Sequence, residues 1–198
     1  MHKWFAFDLD RDPDRALMYF YDDDREKAVV RERVSSFLSG EMDRPGEGYR
    51  SDLAWTGDQG LILGGLVDRM RIVPSGSAEY EALLGIARQI LAGTMDYLVD
   101  TEPDKRGILL PWRPGDAPGG DDPDYRTGIG VFMRYLLYAY QNNTDLKSDL
   151  RQENAQVFVR ANAEYVVHNS DRPQSEDRVV NLTNNLATLV AAVGMLPS

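Results

Sequence analysis

Apolar residues recur at every third or fourth position along most of this chain, and this spacing limits the folds that it can adopt. The clearest stripe, between Ser77 and Leu98, consists of Leu83, Ala87, Ile90, Leu91, Met95 and Leu98. Such spacing places side chains on one face of an α-helix. Ser77 offers an N-cap, with acidic residues following in the first turn. Because no run alternates between apolar and polar residues as a strand does, we predict an all-α fold.

The same reasoning predicts five further helices, over residues 24–39, 59–73, 127–141, 145–168 and 179–193. The helix over 145–168 has Asp145 as its expected cap, and its apolar face comprises Leu150, Asn154, Val157, Phe158, Ala161 and Tyr165. Between Asp100 and Tyr125, prolines and glycines are so frequent that we expect one long loop. Helices joined by such turns and loops suggest stacked antiparallel hairpins in a single domain, residues 1–198.

Composition disfavours several classes of function. With 42% hydrophobic and 27% charged residues, the chain resembles soluble globular proteins, and no apolar run is long enough for a membrane span. A net charge of −10 argues against binding to nucleic acid, because phosphate contacts need clustered Lys and Arg. Without cysteine and with two histidines, we expect no metal site and no cofactor. The start, MHKWFAFDLD, shows no signal peptide, and the compartment stays open.

Residues 53–70, LAWTGDQGLILGGLVDRM, set a polar and aromatic cluster directly before a glycine-containing helix. Trp55 is either a core aromatic or a surface on which a sugar ring stacks. Asp58 and Gln59 either satisfy the amides of the first helical turn or face a ligand. This helix start is therefore a candidate binding site.

Two positions outside this helix start are also candidates. Arg134 lies inside an apolar helix, where a charge belongs either to a buried ion pair or to a cleft. Trp112 lies in the Pro/Gly-rich segment and either anchors that loop or covers a cleft as a lid. The sequence leaves both alternatives open.

Three segments, in order, resemble a known family. WTGDQGLILGGLVD, from Trp55, resembles the Trp-Thr-Tyr-Asn-Gln-Gly segment and the Gly-rich helix of glycoside hydrolase family 76, the α-1,6-mannanases. GVFMRYLLY, residues 130–138, is similar to the family's Gly-Ile-Phe-x-Arg-Tyr-Leu segment, and NNLATLVAAVG resembles its apolar last helix. The resemblance covers about residues 50–196. Gly57 and Asp58 stand where the family has Tyr and Asn, and Ile129 stands where it usually has Lys.

The resemblance implies a toroid of helical hairpins, of which this chain supplies roughly the C-terminal half. In such a fold the helix starts line a sugar cleft, so we expect the helix start and the loop over 101–125 at one end of the helix layer. An oligosaccharide or polysaccharide is the expected ligand, and half a toroid leaves apolar faces for a homo-oligomer or for the missing half. The predicted substrate-binding residues are Trp55, Thr56, Asp58, Gln59, Trp112 and Arg134.

The sequence shows no match to the catalytic segment of the family. Family members hydrolyse glycans with two adjacent Asp residues followed by paired Trp, and no such segment precedes Trp55. The run Asp22, Asp23 and Asp24 is followed by REKAVV, and we interpret it as a helix cap. The catalytic residues therefore stay unknown. The chain is either a glycoside hydrolase-like domain that acts on or binds α-mannan or a related glycan, active through an unrecognised acid pair or in a partial or inactive form, or a non-catalytic carbohydrate-binding domain, or a helical protein-interaction scaffold.

Overall fold

The computed structural model describes residues 17–19, 26–31, 53–113, 126–169 and 178–197. Within these ranges the chain is mainly helical, with four strands of two residues each, so the prediction of an all-α fold is confirmed. In chain order the elements are β1 (Met18–Tyr19), β2 (Val29–Val30), β3 (Ala54–Trp55), α1 (Thr56–Met70), α2 (Ala78–Tyr97), β4 (Trp112–Arg113), α3 (Gly128–Asn142), α4 (Thr144–Leu150), α5 (Glu153–Asn169) and α6 (Arg178–Met195).

The helix predicted over 24–39 is wrong for the part that the structure describes. Val29 and Val30 form β2, which pairs antiparallel with β1, with Met18 opposite Val30. Ala28, Val29 and Val30 are all at most 2% exposed. A surface helix buries only one face, whereas consecutive buried residues fit an extended segment that is covered on both sides, and the pairing with β1 shows that the segment is extended here. The rest of the predicted helix, and Asp22 to Asp24, lie outside the described residues.

The helix predicted over 145–168 is two helices, α4 and α5. Asn143, and not Asp145, caps α4, since its Oδ1 accepts a hydrogen bond from the Leu146 amide at 2.9 Å. Asp145 instead accepts a 2.6 Å hydrogen bond from the Tyr80 hydroxyl. Burial, and then this bond, raise the pKa of Tyr80.

The break between α4 and α5 also changes which residues face inward. Val157 and Tyr165, which the sequence placed on the apolar face, are 54% and 38% exposed. Val159 and Asn162 are buried in their place. Of the predicted stripe on α5, Phe158 is buried as expected, whereas the exposed positions show that the break after Leu150 shifts the rest of the inward face.

Three helices, α1, α3 and α6, lie side by side and run in the same direction. Gly60 of α1 lies against Phe132 of α3, and Gly64 lies against Tyr135. Because the residue numbers of the contacting pairs increase together, the two helices are parallel. Between α3 and α6, Gly130 meets Asn184 and Leu137 meets Gly194. The three helix N-termini therefore lie at one end of the row.

Helices α2 and α5 run in the opposite direction and cover one side of this row. At the turn between α1 and α2, Arg69 and Glu79 form an ion pair. The C-terminal part of α2 lies near the start of α1, because the segment that contains β2 touches both. Ala28 contacts Gly93 of α2, and Val30 binds Gln59 of α1. One cluster of buried apolar side chains joins all six of these helices. No helix in the described ranges is long and apolar enough to cross a membrane.

We expect Gly60→Ala to destabilise the fold. A Cβ at this position would lie 2.7 Å from the Cα of Phe132, so the backbones of α1 and α3 would have to separate. Overpacking of this kind costs about 1–3 kcal/mol. The matched control is Gly65→Ala on the same helix, where an added Cβ meets nothing within 4 Å. That exchange should stabilise the helix by about 0.5–1 kcal/mol. Urea unfolding measures both, and equal effects would contradict the proposed contact.

Candidate functional site

A short antiparallel pairing holds the start of α1 against the segment that carries Trp112. Ala54 lies opposite Arg113, and Trp55 lies opposite Trp112. The Thr56 amide extends the pairing with a 2.9 Å hydrogen bond to the carbonyl of Pro111. Directly opposite residues in such a pair have Cβ atoms about 4.5–5.5 Å apart. The two tryptophans therefore lie at the same end of the helix row, as expected for the described part of the 101–125 segment.

The Trp55 ring lies across the first turns of α1 and α3. A Cβ on Gly57 would overlap the ring, and one on Gly128 would lie 2.5 Å from its Nε1. These glycines leave the space that the ring occupies. The side chain is half-buried, so part of it still faces solvent. The Trp55 ring explains why position 57, which is Tyr in family 76, is glycine here, because a larger side chain would displace the ring.

Thr56 and Gln59, which are predicted substrate-binding residues, have structural roles in the fold. Both residues are 0% exposed. The Thr56 hydroxyl donates to the carbonyl of Leu110. The Gln59 amide binds both peptide groups of Val30, at 2.7 and 2.8 Å, and also donates to the carbonyl of Trp55. Neither side chain has solvent-exposed surface in this conformation.

A pocket of about 390 Å³ lies beside Trp112. Its lining residues are Val99, Asp100, Thr101, Leu110, Pro111, Trp112 and Arg113. The Arg113 guanidinium is fixed, because it donates to the carbonyl of Tyr97 at 2.7 Å and lies 5.0 Å from the centre of that ring. The residues that line the pocket thus include an aromatic, an acidic, a hydroxyl-bearing and a basic residue.

A hairpin clamped by α5 forms the wall of this pocket. The Leu110 amide donates to the carbonyl of Leu98, and the Asp100 amide donates to the carbonyl of Ile108, at 2.9 and 2.8 Å. Asn162 of α5 accepts from the Leu109 amide at 2.9 Å and donates to the carbonyl of Gly107 at 3.0 Å. The loop predicted from Asp100 onward is thus, in its described part, an ordered turn closed by the bridge between Val99 and Leu109 and followed by β4. Sequence reasoning also missed Asn162, whose only signal is an amide on a helix.

The structure places the remaining predicted site residues apart from the pocket. Asp58 is half-buried in the first turn of α1, where a carboxylate is favoured by the helix dipole. Arg134 is exposed on α3, which excludes the buried ion pair, and it does not line the pocket. In the described ranges no group of three or more His, Cys, Asp and Glu side chains is arranged to hold a metal ion.

Comparison of the chain with models of known protein families, with curated proteins and with solved structures gave no match. Evidence for function therefore comes from the residues and their arrangement.

We expect Asn162→Ala to loosen the pocket wall. It leaves the Leu109 amide without its partner, and Leu109 is 2% exposed. A buried peptide group without a partner costs about 1–3 kcal/mol. The matched control is Asn142→Ala, because that side chain is exposed and bonds only the Tyr138 carbonyl one turn earlier in the same helix. Urea unfolding and amide exchange at Leu109 should change in the first variant only. An unchanged rate of amide hydrogen exchange at Leu109 in Asn162→Ala would contradict the stabilising role of the Asn162 hydrogen bonds.

Proposed function

We propose that this chain is a helical-hairpin domain of the glycoside hydrolase family 76 type that binds an oligosaccharide without hydrolysing it. The observation that carries the proposal is the pairing of Trp55 with Trp112 beside a pocket that also contains Asp100, Thr101 and Arg113. A tryptophan ring offers an apolar face on which the C–H side of a sugar can stack. A few placed polar groups then orient the hydroxyls.

The arrangement of the helices supports the family assignment. Three parallel helices with their N-termini at one end, covered by antiparallel helices, are what successive hairpins of a toroid produce. The tryptophan pairing lies at that end, where the resemblance places the sugar cleft. Gly60 and Gly64 contact the neighbouring helix, which gives a physical reason for two of the glycines in the motif. We infer that the chain is an incomplete toroid.

The proposal of binding without hydrolysis follows from the carboxylates. A retaining glycosidase needs two carboxyl groups about 5–5.5 Å apart, one of them able to act as an acid. Asp100 lines the pocket, whereas Asp58 belongs to the first turn of α1 and is not among the lining residues. Among the described residues that line the pocket, one carboxylate and a fixed guanidinium can position a sugar, but they supply no nucleophile and acid pair.

An interaction scaffold is a second candidate function. The observation that favours it is a row of exposed Val and Leu side chains on α6, since such surfaces in soluble proteins mark contacts with other chains. A scaffold without a sugar site predicts no glycan binding at all, so the experiment below separates the two functions.

We expect the chain to bind short linear α-1,6-linked mannosides weakly, and Trp112→Ala to weaken that binding at least about tenfold, which corresponds to about 1.4 kcal/mol. Trp112 lines the pocket, so its removal takes away the stacking surface. Arg134→Ala is the control, because Arg134 is exposed and lies outside the lining. Calorimetric titration measures the affinities. Absence of binding, or equal binding by the Trp112 variant, rejects the site.

Hydrolysis should not exceed the rate in buffer. The assay is release of product from a linear α-1,6-mannan, because the chain lacks a recognisable pair of catalytic carboxylates. The matched variants are Asp22→Asn, Asp23→Asn, Asp24→Asn and Asp58→Asn. Robust cleavage by the unchanged chain that is lost in one or two of these variants would make it an enzyme in its own right.

A further inference from the structure

The helix α6 carries a row of large apolar side chains on its exposed face. Of the ten large apolar side chains that are exposed in the described ranges, five lie on this helix. They are 50–86% exposed and are separated by three, four, four and three positions, which keeps them on one face. This row, the α6 stripe, consists of Val179, Leu182, Leu186, Val190 and Val193.

The opposite face of α6 is the one that packs against the rest of the chain, and small or polar side chains occupy most of it. Asn184 accepts a 2.9 Å hydrogen bond from the Gly130 amide and donates to the carbonyl of Arg126 at 2.6 Å. Thr188, Ala191 and Ala192 are also buried. Most of the large apolar side chains of α6 thus lie on its exposed face, whereas Met195 is buried. A helix whose outer face is also apolar is typical of the interior of a larger assembly.

We propose that two copies of this chain associate through the α6 stripe, with their α6 helices antiparallel and a two-fold axis at Leu186. The spacing of the stripe is the same when read from either end, so a two-fold axis at its centre brings equivalent positions together. Val179 then faces the partner's Val193, and Leu182 faces the partner's Val190. The mean spacing of three and a half residues suits two helices that cross at a small angle.

Charge permits a second copy at the α6 stripe and gives no attraction to a charged partner there. The chain has a net charge of −10, so two copies repel each other over much of their surface. From Val179 to Met195, however, there is no charged residue, and like-charge repulsion is smallest there. An acidic or basic partner finds no opposite charge on this helix segment.

The available apolar surface also suits a pair of copies. A typical stable interface buries about 800 Å² on each partner, with an apolar centre and a polar rim. Five Val and Leu side chains from each copy supply such a centre, over a helix length of about 21 Å. A two-fold pair covers both stripes at once and leaves neither exposed.

Light scattering with the full chain at tens of micromolar tests the association. We expect twice the chain mass of 22.3 kDa. Leu186→Glu places two like charges at the axis and should give the single-chain mass, with the helical circular dichroism unchanged. The control is Ile72→Glu, a residue 73% exposed between α1 and α2, which should leave the doubled mass. A single-chain mass for the unchanged protein, or a doubled mass for Leu186→Glu, overturns the proposal.

Cysteine cross-linking tests whether the two α6 helices are antiparallel. The chain contains no cysteine, so an introduced one can form a disulfide only with an introduced cysteine of the partner. A disulfide forms only when the two Cα atoms come within about 7 Å. Leu186→Cys should therefore link to itself on mild oxidation. Val179→Cys should not link to itself but should link to Val193→Cys when the two variants are mixed. Self-linking of Val179→Cys indicates parallel helices, and absence of any link indicates a different interface; either result overturns the proposal. Both experiments omit glycan, so their outcome is independent of the proposed sugar site.

Discussion

The close contact between α1 and α3 at Gly60 determines the rest of the described structure. A glycine there brings the two helices so near that an added Cβ would lie 2.7 Å from the Cα of Phe132. This fixes the relative height of the helices and places Gly57 beside Gly128 at their N-termini. Only with the two first turns level can the Trp55 ring lie across both. Once Trp55 is held there, β3 continues into the pairing with β4, and Trp112 takes its position beside the pocket.

Buried side-chain amides bind peptide groups that very short strands and helix starts leave without partners. Two-residue strands and helix starts leave peptide groups without regular partners, and burial makes such groups costly. Gln59 satisfies both peptide groups of Val30, and Asn162 satisfies those of Leu109 and Gly107. Asn184 does the same for Gly130, near the start of α3. An amide offers a donor and an acceptor without a charge to desolvate, so it suits all three positions.

The sequence predicts the parts of this fold that depend on local pattern. The Ser77 cap is confirmed, because its hydroxyl accepts from the Tyr80 amide at 3.2 Å, and α2 follows with the predicted stripe largely buried. Long-range contacts decide the rest. Val30 is extended because β1 and Gln59 bind its backbone, and neither partner is adjacent in sequence. The same holds at the site, where the polar cluster of α1 is visible in the sequence but its division into buried and half-exposed residues is not. Thr56 and Gln59 turn inward because nearby peptide groups need partners.

The difference between the inner and outer faces of α6 is related to its close packing against α3. The inner face approaches α3 closely at Gly130, where Asn184 and small residues such as Ala191 fit. Most of the large apolar side chains of this helix lie on the outside, where they form the α6 stripe. The proposed sugar site lies at the start of α1 and beside Trp112, and α3 separates α1 from α6. An assembly through the stripe runs along the length of α6, so association and glycan binding use different surfaces. The same glycine-mediated packing of parallel helices thus accounts both for the site at one end of the row and for the apolar face at its side.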